Sequence, residues 1–334
     1  MKKIAILGAG SWGTALALVL LRSRRPHRVC LWARRADLAE ALSKTRTNVD
    51  YLPGFELPPQ LEITGNLAEA VSGAEIVLGV MPSQHARGIY TRALPHLRAE
   101  TAIVSATKGL DFPTLDRMTQ VIASVAAPRF PARVAALSGP SFAREAARGD
   151  PTAVVVASEE EELAAEIQEE FAGPTFRLYR NRDVTGVELA GAVKNVIAIA
   201  AGVCTGLGLG HNSAAALITR GLAEMTRLGC ALGGRRETLA GLAGLGDLVL
   251  TCTGALSRNR SVGVALGEGR KLEEIQRGMR MVAEGVRTTA ATIELARRHG
   301  IEMPITEQMH AVLYEGRPPQ EAIRELMERR LKNE

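Results

Sequence analysis

Aromatic residues are scarce in this chain: 4% of 334 residues, with only two tryptophans. That argues against an aromatic-rich binding surface. The abundance of Gly and Ala points instead to close-packed helices and tight turns. The four cysteines, Cys30, Cys204, Cys230 and Cys252, form no C-x-x-C pair, and no His/Cys cluster has zinc spacing. The chain therefore reads as a cytosolic protein with buried, reduced thiols and no metal site. Long apolar runs are also missing. The longest, residues 193–203, contains Lys194 and Asn195 and falls short of the roughly 20 residues that cross a bilayer. Met1-Lys2-Lys3 leads directly into an apolar run without a leader-type cleavage pattern, so a cytoplasmic location without membrane insertion is expected. Blocks of like charge never exceed a few residues, and the net charge is only +5, from 41 basic and 36 acidic side chains. Dispersed positive charge favours small anionic ligands, and no nucleic-acid partner is expected.

What is present is length enough for two domains of about 150 residues each. Short apolar runs at residues 4–7, 28–32, 61–64, 75–80, 102–106, 134–137 and 153–157 read as strands. Helical stretches at 14–23 and 36–43 and a helical turn at 67–72 fall between them. This alternation predicts a mostly parallel sheet with right-handed crossovers. Past residue 183 the strand-like runs stop. Residues 184–203 read as a long apolar helix, and 213–232, 284–298 and 319–332 show helical spacing. The predicted fold class is α/β: an N-terminal Rossmann-type domain, 1–183, followed by an all-helical domain, 184–334.

The first apolar run ends in Gly8-Ala9-Gly10-Ser11-Trp12-Gly13, a G-x-G-x-x-G pattern between a predicted strand and a predicted helix. Glycines there allow a tight turn and close approach of backbone to a pyrophosphate, which then faces the amides of the helix start. The second strand ends in Trp32-Ala33-Arg34-Arg35, with Asp37 further on. An acid at that strand end selects NAD, and arginine accommodates the extra phosphate of NADP. Two arginines favour NADP, with NAD also possible in principle and no metal required.

Further motifs follow in order: Ser105-Ala106-Thr107-Lys108-Gly109-Leu110, Ser138-Gly139-Pro140-Ser141-Phe142-Ala143, Val193-Lys194-Asn195-Val196, Gly244-Leu245-Gly246-Asp247-Leu248 and Ser257-Arg258-Asn259-Arg260. Together with the glycine loop, this series closely resembles the bacterial NAD(P)-dependent sn-glycerol-3-phosphate dehydrogenase family over nearly the whole chain. The resemblance implies reversible hydride transfer between NAD(P)H and dihydroxyacetone phosphate, giving sn-glycerol 3-phosphate for phospholipid synthesis. It also implies a homodimer. It places Val282 and Glu284 near the cofactor, and gives Lys108 contacts with both substrate and cofactor.

The residues themselves support that chemistry. Lys194 sits among apolar neighbours, where desolvation disfavours the ammonium and moves a lysine toward a usable proton donor; a snorkelling lysine is the bland alternative. Lys108 follows a parallel strand, at the end where open α/β sheets bind ligands. The turn holding Gly139, Ser141 and Ala143 offers backbone donors and a hydroxyl, although a purely structural turn is a fair alternative. Asp247 can anchor a substrate hydroxyl or pair with Lys194. Ser257 reads as a helix N-cap, with Arg258 beside it for a phosphate. Asn195 and Asn259 are further polar candidates. The catalytic set is thus Lys194, Lys108 and Asp247. Substrate contacts add Gly139, Ser141, Ser257, Arg258 and Asn259. Cofactor contacts are Gly8, Gly10, Ser11, Trp12, Gly13, Arg34, Arg35, Lys108, Ala143, Arg258, Val282 and Glu284. Rival readings are a sister reductase of another hydroxy acid and a nucleotide sensor without turnover.

Overall fold

The computed structural model describes residues 1–279 and 283–330. The chain divides into two compact units, Met1–Glu188 and Leu189–Glu334. In the first, the strands are β1 (Lys2–Leu7), β2 (His27–Trp32), β3 (Thr47–Asn48), β4 (Leu52–Glu56), β5 (Glu62–Thr64), β6 (Ile76–Gly79), β7 (Ala102–Ser105), β8 (Arg133–Ser138), β9 (Thr152–Ala157) and β10 (Phe176–Asn181). Eight of them form one sheet in the order β10-β9-β8-β7-β6-β1-β2-β5. Neighbours run parallel except β8 and β9, which are antiparallel. β3 and β4 pair separately as an antiparallel hairpin.

The helices of this unit are α1 (Ser11–Leu21), α2 (Ala36–Thr45), α3 (Leu67–Val71), α4 (Ser83–Ala93), α5 (Met118–Ala126), α6 (Ala143–Arg148) and α7 (Glu161–Phe171). Successive side chains of a strand point to opposite faces, and β1 shows the result. Ile4 and Ile6 join one core with Leu16 and Leu20 of α1. Ala5 and Leu7 join the other with Ile89 and Tyr90 of α4. A strand covered on both faces reads as an unbroken apolar run, which is why β1 was visible in the sequence. β10 was not: its residues FRLYRN begin by alternating buried and exposed, and at the edge of the sheet the run is broken by charge. The hairpin β3–β4 also lacked an apolar run. α1 starts three residues earlier than the periodicity suggested, because extended Gly10 serves as its N-cap.

The second unit contains most of α8 (Val184–Gly206), then α9 (His211–Ala231), α10 (Arg236–Ala240), a π-helical turn (Leu242–Gly246), α11 (Asp247–Thr253), α12 (Arg258–Gly267), α13 (Leu272–Arg277), α14 (Glu284–Arg298), α15 (Pro304–Tyr314) and α16 (Pro319–Met327). Beyond Asn181 the described residues contain no strand. α16 ends at Met327, short of the expected 332, and residues 331–334 lie outside the described residues. α8 is longer than its apolar core suggested. It is long and apolar enough by composition to cross a bilayer, yet it is almost wholly buried in the protein. Of the cysteines, Cys30, Cys204 and Cys252 are buried, but Cys230 is exposed, which corrects the expectation that all four are buried.

Candidate active site

The parallel neighbours β8, β7, β6, β1 and β2 all end on one edge of the sheet, so the loops after them share that edge. β1 runs into the glycine loop. Gly8 has φ +129°, and a Cβ there would lie 2.5 Å from the carbonyl oxygen of Val80. A Cβ on Gly13 would lie 1.9 Å from the Gly8 carbonyl oxygen, whereas nothing stands within 4 Å of one on Gly10. The loop is thus shut on its inner side and open on its outer side. No side chain caps α1, so its first turn presents amides and a favourable dipole to an anion. Ser11 Oγ donates to the Tyr51 carbonyl oxygen at 2.5 Å, and Trp12 packs against the sheet core. From below, buried Asn48 donates to the Ala9 carbonyl oxygen at 3.0 Å and to Thr14 Oγ1 at 2.8 Å. Sequence reading missed Asn48, since nothing local ties it to a loop 39 residues away.

Lys108, Gly139 and Ser141 come together. The Gly139 carbonyl oxygen accepts from Lys108 Nζ at 3.0 Å and from Ser141 Oγ at 2.9 Å. The loops after two adjacent strands, β7 and β8, are therefore tied through one oxygen. Ala143 opens α6. After β2, the exposed Arg34 lies 3.2 Å from His85 Nε2. Arg35 forms a two-pronged pair with Asp37, at 3.1 and 2.5 Å. Asp37, set aside in the sequence as a helix residue, thus engages one of the two arginines. Both side chains are exposed, so solvent screens the pair and it contributes little to stability.

In the helical unit, Lys194 on α8 is 5% exposed and Asp247, the first residue of α11, is 1% exposed. Lys194 Nζ donates to Asp247 Oδ1 at 2.8 Å and to Thr251 Oγ1 at 2.5 Å, and Thr251 Oγ1 donates to the Asp247 carbonyl oxygen at 2.6 Å. The ammonium does not snorkel to water; the apolar surroundings read from the sequence hold a counter-charge. The thiol of Cys252 is pushed up to about 12, chiefly by burial. Asp247 directly follows the π-helical turn Leu242–Gly246, and such turns recur where a helix serves a site. Thr251 was missed, yet it stands one helical turn after Asp247 and so shares its face; that spacing was a usable signal.

Ser257 caps α12 as expected, its hydroxyl accepting from the Arg260 amide at 3.2 Å. Arg258 is open to solvent, yet burial by surrounding protein lowers its pKa, with Glu284 opposing. Asn195 and Asn259 are engaged with each other: Asn259 Nδ2 donates to Asn195 Oδ1 at 2.9 Å. Glu284 begins α14. Val282 lies outside the described residues.

Residues 3–164 match the description "NAD-dependent glycerol-3-phosphate dehydrogenase N-terminus", and residues 183–324 match its "C-terminus". The chain belongs to this dehydrogenase family. A relative from Koribacter versatilis named glycerol-3-phosphate dehydrogenase [NAD(P)+] is 60% identical over 330 residues, covering 98% of each chain. One of the same name from Geobacter sp. (strain M21) is 54% identical over 333 residues, covering 100% of this chain and 99% of its own. The crystal structure of glycerol-3-phosphate dehydrogenase from Coxiella burnetii superposes with a TM-score of 0.93 at 45% identity, over 98% of this chain and 99% of that one. The family's dinucleotide fits the residues present: the glycine loop leaves no room on its inner side, is open outward, and ends in an uncapped 11-residue helix.

Proposed function

We propose that the protein catalyses the reversible NAD(P)H-dependent reduction of dihydroxyacetone phosphate to sn-glycerol 3-phosphate. The observation that carries this reading is the buried Lys194–Asp247–Thr251 cluster, in the same unit as the Ser257-capped, Arg258-led helix. A buried ammonium aimed by a carboxylate suits proton donation, and a guanidinium at a helix start suits a phosphate. A nucleotide sensor needs neither.

When bound, the reduced nicotinamide supplies the hydride to the ketone carbon. The glycine loop, Gly8, Gly10, Ser11, Trp12 and Gly13, holds the pyrophosphate. Arg34 and Arg35 hold the ribose phosphate that distinguishes NADP, which makes NADP the preferred cofactor. Ala143, Glu284, Val282 and Arg258 complete the cofactor contacts. Lys194 gives its proton to the carbonyl oxygen as negative charge develops there, and Asp247 and Thr251 fix the direction of its Nζ. The neutral amine regains a proton from solvent. Lys108 polarises the ketone oxygen. The Gly139–Ser141 turn orients the substrate, and Arg258 and Asn259, with the first amides of α12, carry its phosphate. Residues 1–183 serve as the dinucleotide domain and 184–334 as the substrate domain. The enzyme works as a homodimer in the cytoplasm and supplies glycerophospholipid synthesis.

The test is the loss of NADPH absorbance with purified protein, with and without dihydroxyacetone phosphate. Rapid loss that requires the phosphate ester supports the reading. Equal turnover of unphosphorylated dihydroxyacetone would overturn the assigned substrate class.

A further inference from the structure

Asn48, in β3, is 1% exposed, and both ends of its side-chain amide are engaged. Oδ1 accepts from the amide of Tyr51 at 3.3 Å. Nδ2 donates to the Ala9 carbonyl oxygen at 3.0 Å and to Thr14 Oγ1 at 2.8 Å. One end faces a donor and the other a carbonyl, so the orientation of the amide is forced. The hairpin that carries Asn48 is itself pinned. The Arg46 guanidinium donates to the carbonyl oxygens of Leu57 and Leu61 at 3.1 and 3.0 Å and to that of Pro58. The Leu57 amide in turn donates to the Arg46 carbonyl oxygen at 2.7 Å. The segment 46–57 is therefore closed at its base. A second tie to the glycine loop runs the other way, from Ser11 Oγ to the Tyr51 carbonyl oxygen.

We infer that Asn48 is a positioning residue for the dinucleotide, acting through the Ala9–Gly10 peptide. A trans peptide is planar and aims its C=O and N–H in opposite directions. With the Ala9 carbonyl drawn to Asn48, the Gly10 amide is turned away from the hairpin. Gly10 is the N-cap of α1, and the first amides of a helix have no partner within it. The direction of these amides decides what the loop offers to a pyrophosphate. Ala9 stands between two glycines, whose backbones turn at little cost. The local chain therefore does not hold this peptide in one orientation, and the bond from Asn48 does. Donors fixed in advance need not be ordered when the ligand binds. Asn48 presents no surface of its own to the cofactor; its action is on the backbone of the loop.

The inference rests on the glycine loop holding the dinucleotide. It is tested on the full chain with the parent, Asn48→Ala, Thr14→Val and the pair. The Kd values of NADPH and of NADH are measured by fluorescence without substrate, and kcat and KM are measured separately. Asn48→Ala is expected to weaken both cofactors by the same factor, about 10- to 100-fold, the scale of one misdirected hydrogen bond to a charged group. At saturating NADPH kcat should stay near the parent value, because the lost interaction holds the cofactor equally before and during the reaction. Thr14→Val removes the other acceptor and leaves the bond to Ala9, so its effect should be much smaller. The pair should be no worse than Asn48→Ala alone. The inference is overturned if folded Asn48→Ala binds both cofactors as the parent does, or if only NADPH is weakened. It is equally overturned if Thr14→Val weakens them as much, or if kcat falls while both Kd values hold. Should Asn48→Ala fail to fold, Asn48→Ser, whose hydroxyl is too short to reach the same oxygen, is read the same way. A parent chain that binds neither cofactor overturns the dinucleotide reading itself; a parent that binds both, with Asn48→Ala binding as well, overturns only the role of Asn48.

Discussion

The two units place their functional groups by different means. In the sheet unit the backbone does it: parallel strands end together, and Gly8, Arg34, Lys108 and Gly139 follow strand ends. In the helical unit buried side chains do it: Lys194, Asp247 and Thr251 are held by one another. A site built on strand ends tolerates changes in its side chains and fails when a glycine is replaced. A site built on buried polar side chains fails when one partner is removed, because the others are left desolvated and unpaired.

The sharpest way to break this contrast is Lys194→Met. A positioned acid contributes about 10²–10⁴-fold, and kcat is expected to fall by that much while NADPH binding persists. The structure adds that Met leaves Asp247 buried without its counter-charge, a loss of about 3–5 kcal/mol in stability. Lys194→Met combined with Asp247→Asn should regain stability without regaining rate. A folded double variant with near-normal kcat would move the acid role to Lys108.

Arg258→Lys tests the phosphate end. Charge is kept but the planar fork is lost. Since hydrogen bonds to charged groups contribute about 1.5–3 kcal/mol, KM for dihydroxyacetone phosphate should rise about 10- to 100-fold, with a much smaller change in NADPH affinity. An unchanged KM would place the phosphate elsewhere.

Next comes the sheet unit. The double change Arg34→Asp and Arg35→Ala should weaken NADPH about tenfold or more relative to NADH, since charge-assisted bonds to the ribose phosphate are lost. Titration by fluorescence measures both cofactors. Equal weakening of the two would show that the arginines do not read that phosphate.

The smallest effect on turnover is expected at Glu224. Its carboxylate accepts from the amides of Ile305 and Thr306 at 2.6 and 3.2 Å, anchoring the start of α15. Burial nevertheless raises its pKa to about 7, from a model-compound value of 4.5. A raised folded-state pKa means the folded protein holds the proton more tightly than the unfolded chain. That stabilisation is complete below the unfolded value and is lost as pH rises through about 7. Between about pH 5.5 and 7.5 it amounts to about 2 kcal/mol. Denaturant unfolding at the two pH values should show this loss in the parent and not in Glu224→Gln. The same slope in both would remove Glu224 as its source.

How much of this was legible in the sequence follows the same division. The glycine loop, the strand-end motifs and the Ser257 cap could be read because each depends on a few consecutive residues. β10 could not, because at the edge of the sheet Arg177 and Arg180 break the strand and leave no unbroken apolar run. Thr251 was within reach, one turn from Asp247, but became meaningful only once Lys194 was seen to lie against both.

The sequence by itself determined the α/β unit followed by helices, the glycine-rich turn after β1 and the family, because those rest on period, spacing and local turn chemistry. Only the tertiary structure decided that Lys194 meets Asp247, 53 residues away, rather than solvent, and that Asn195 meets Asn259, 64 residues away. The physical reason is that a helix's own sequence states which face is apolar but not which polar atom of a distant helix will stand opposite. That is settled only when the helices pack and every buried donor and acceptor must find a partner.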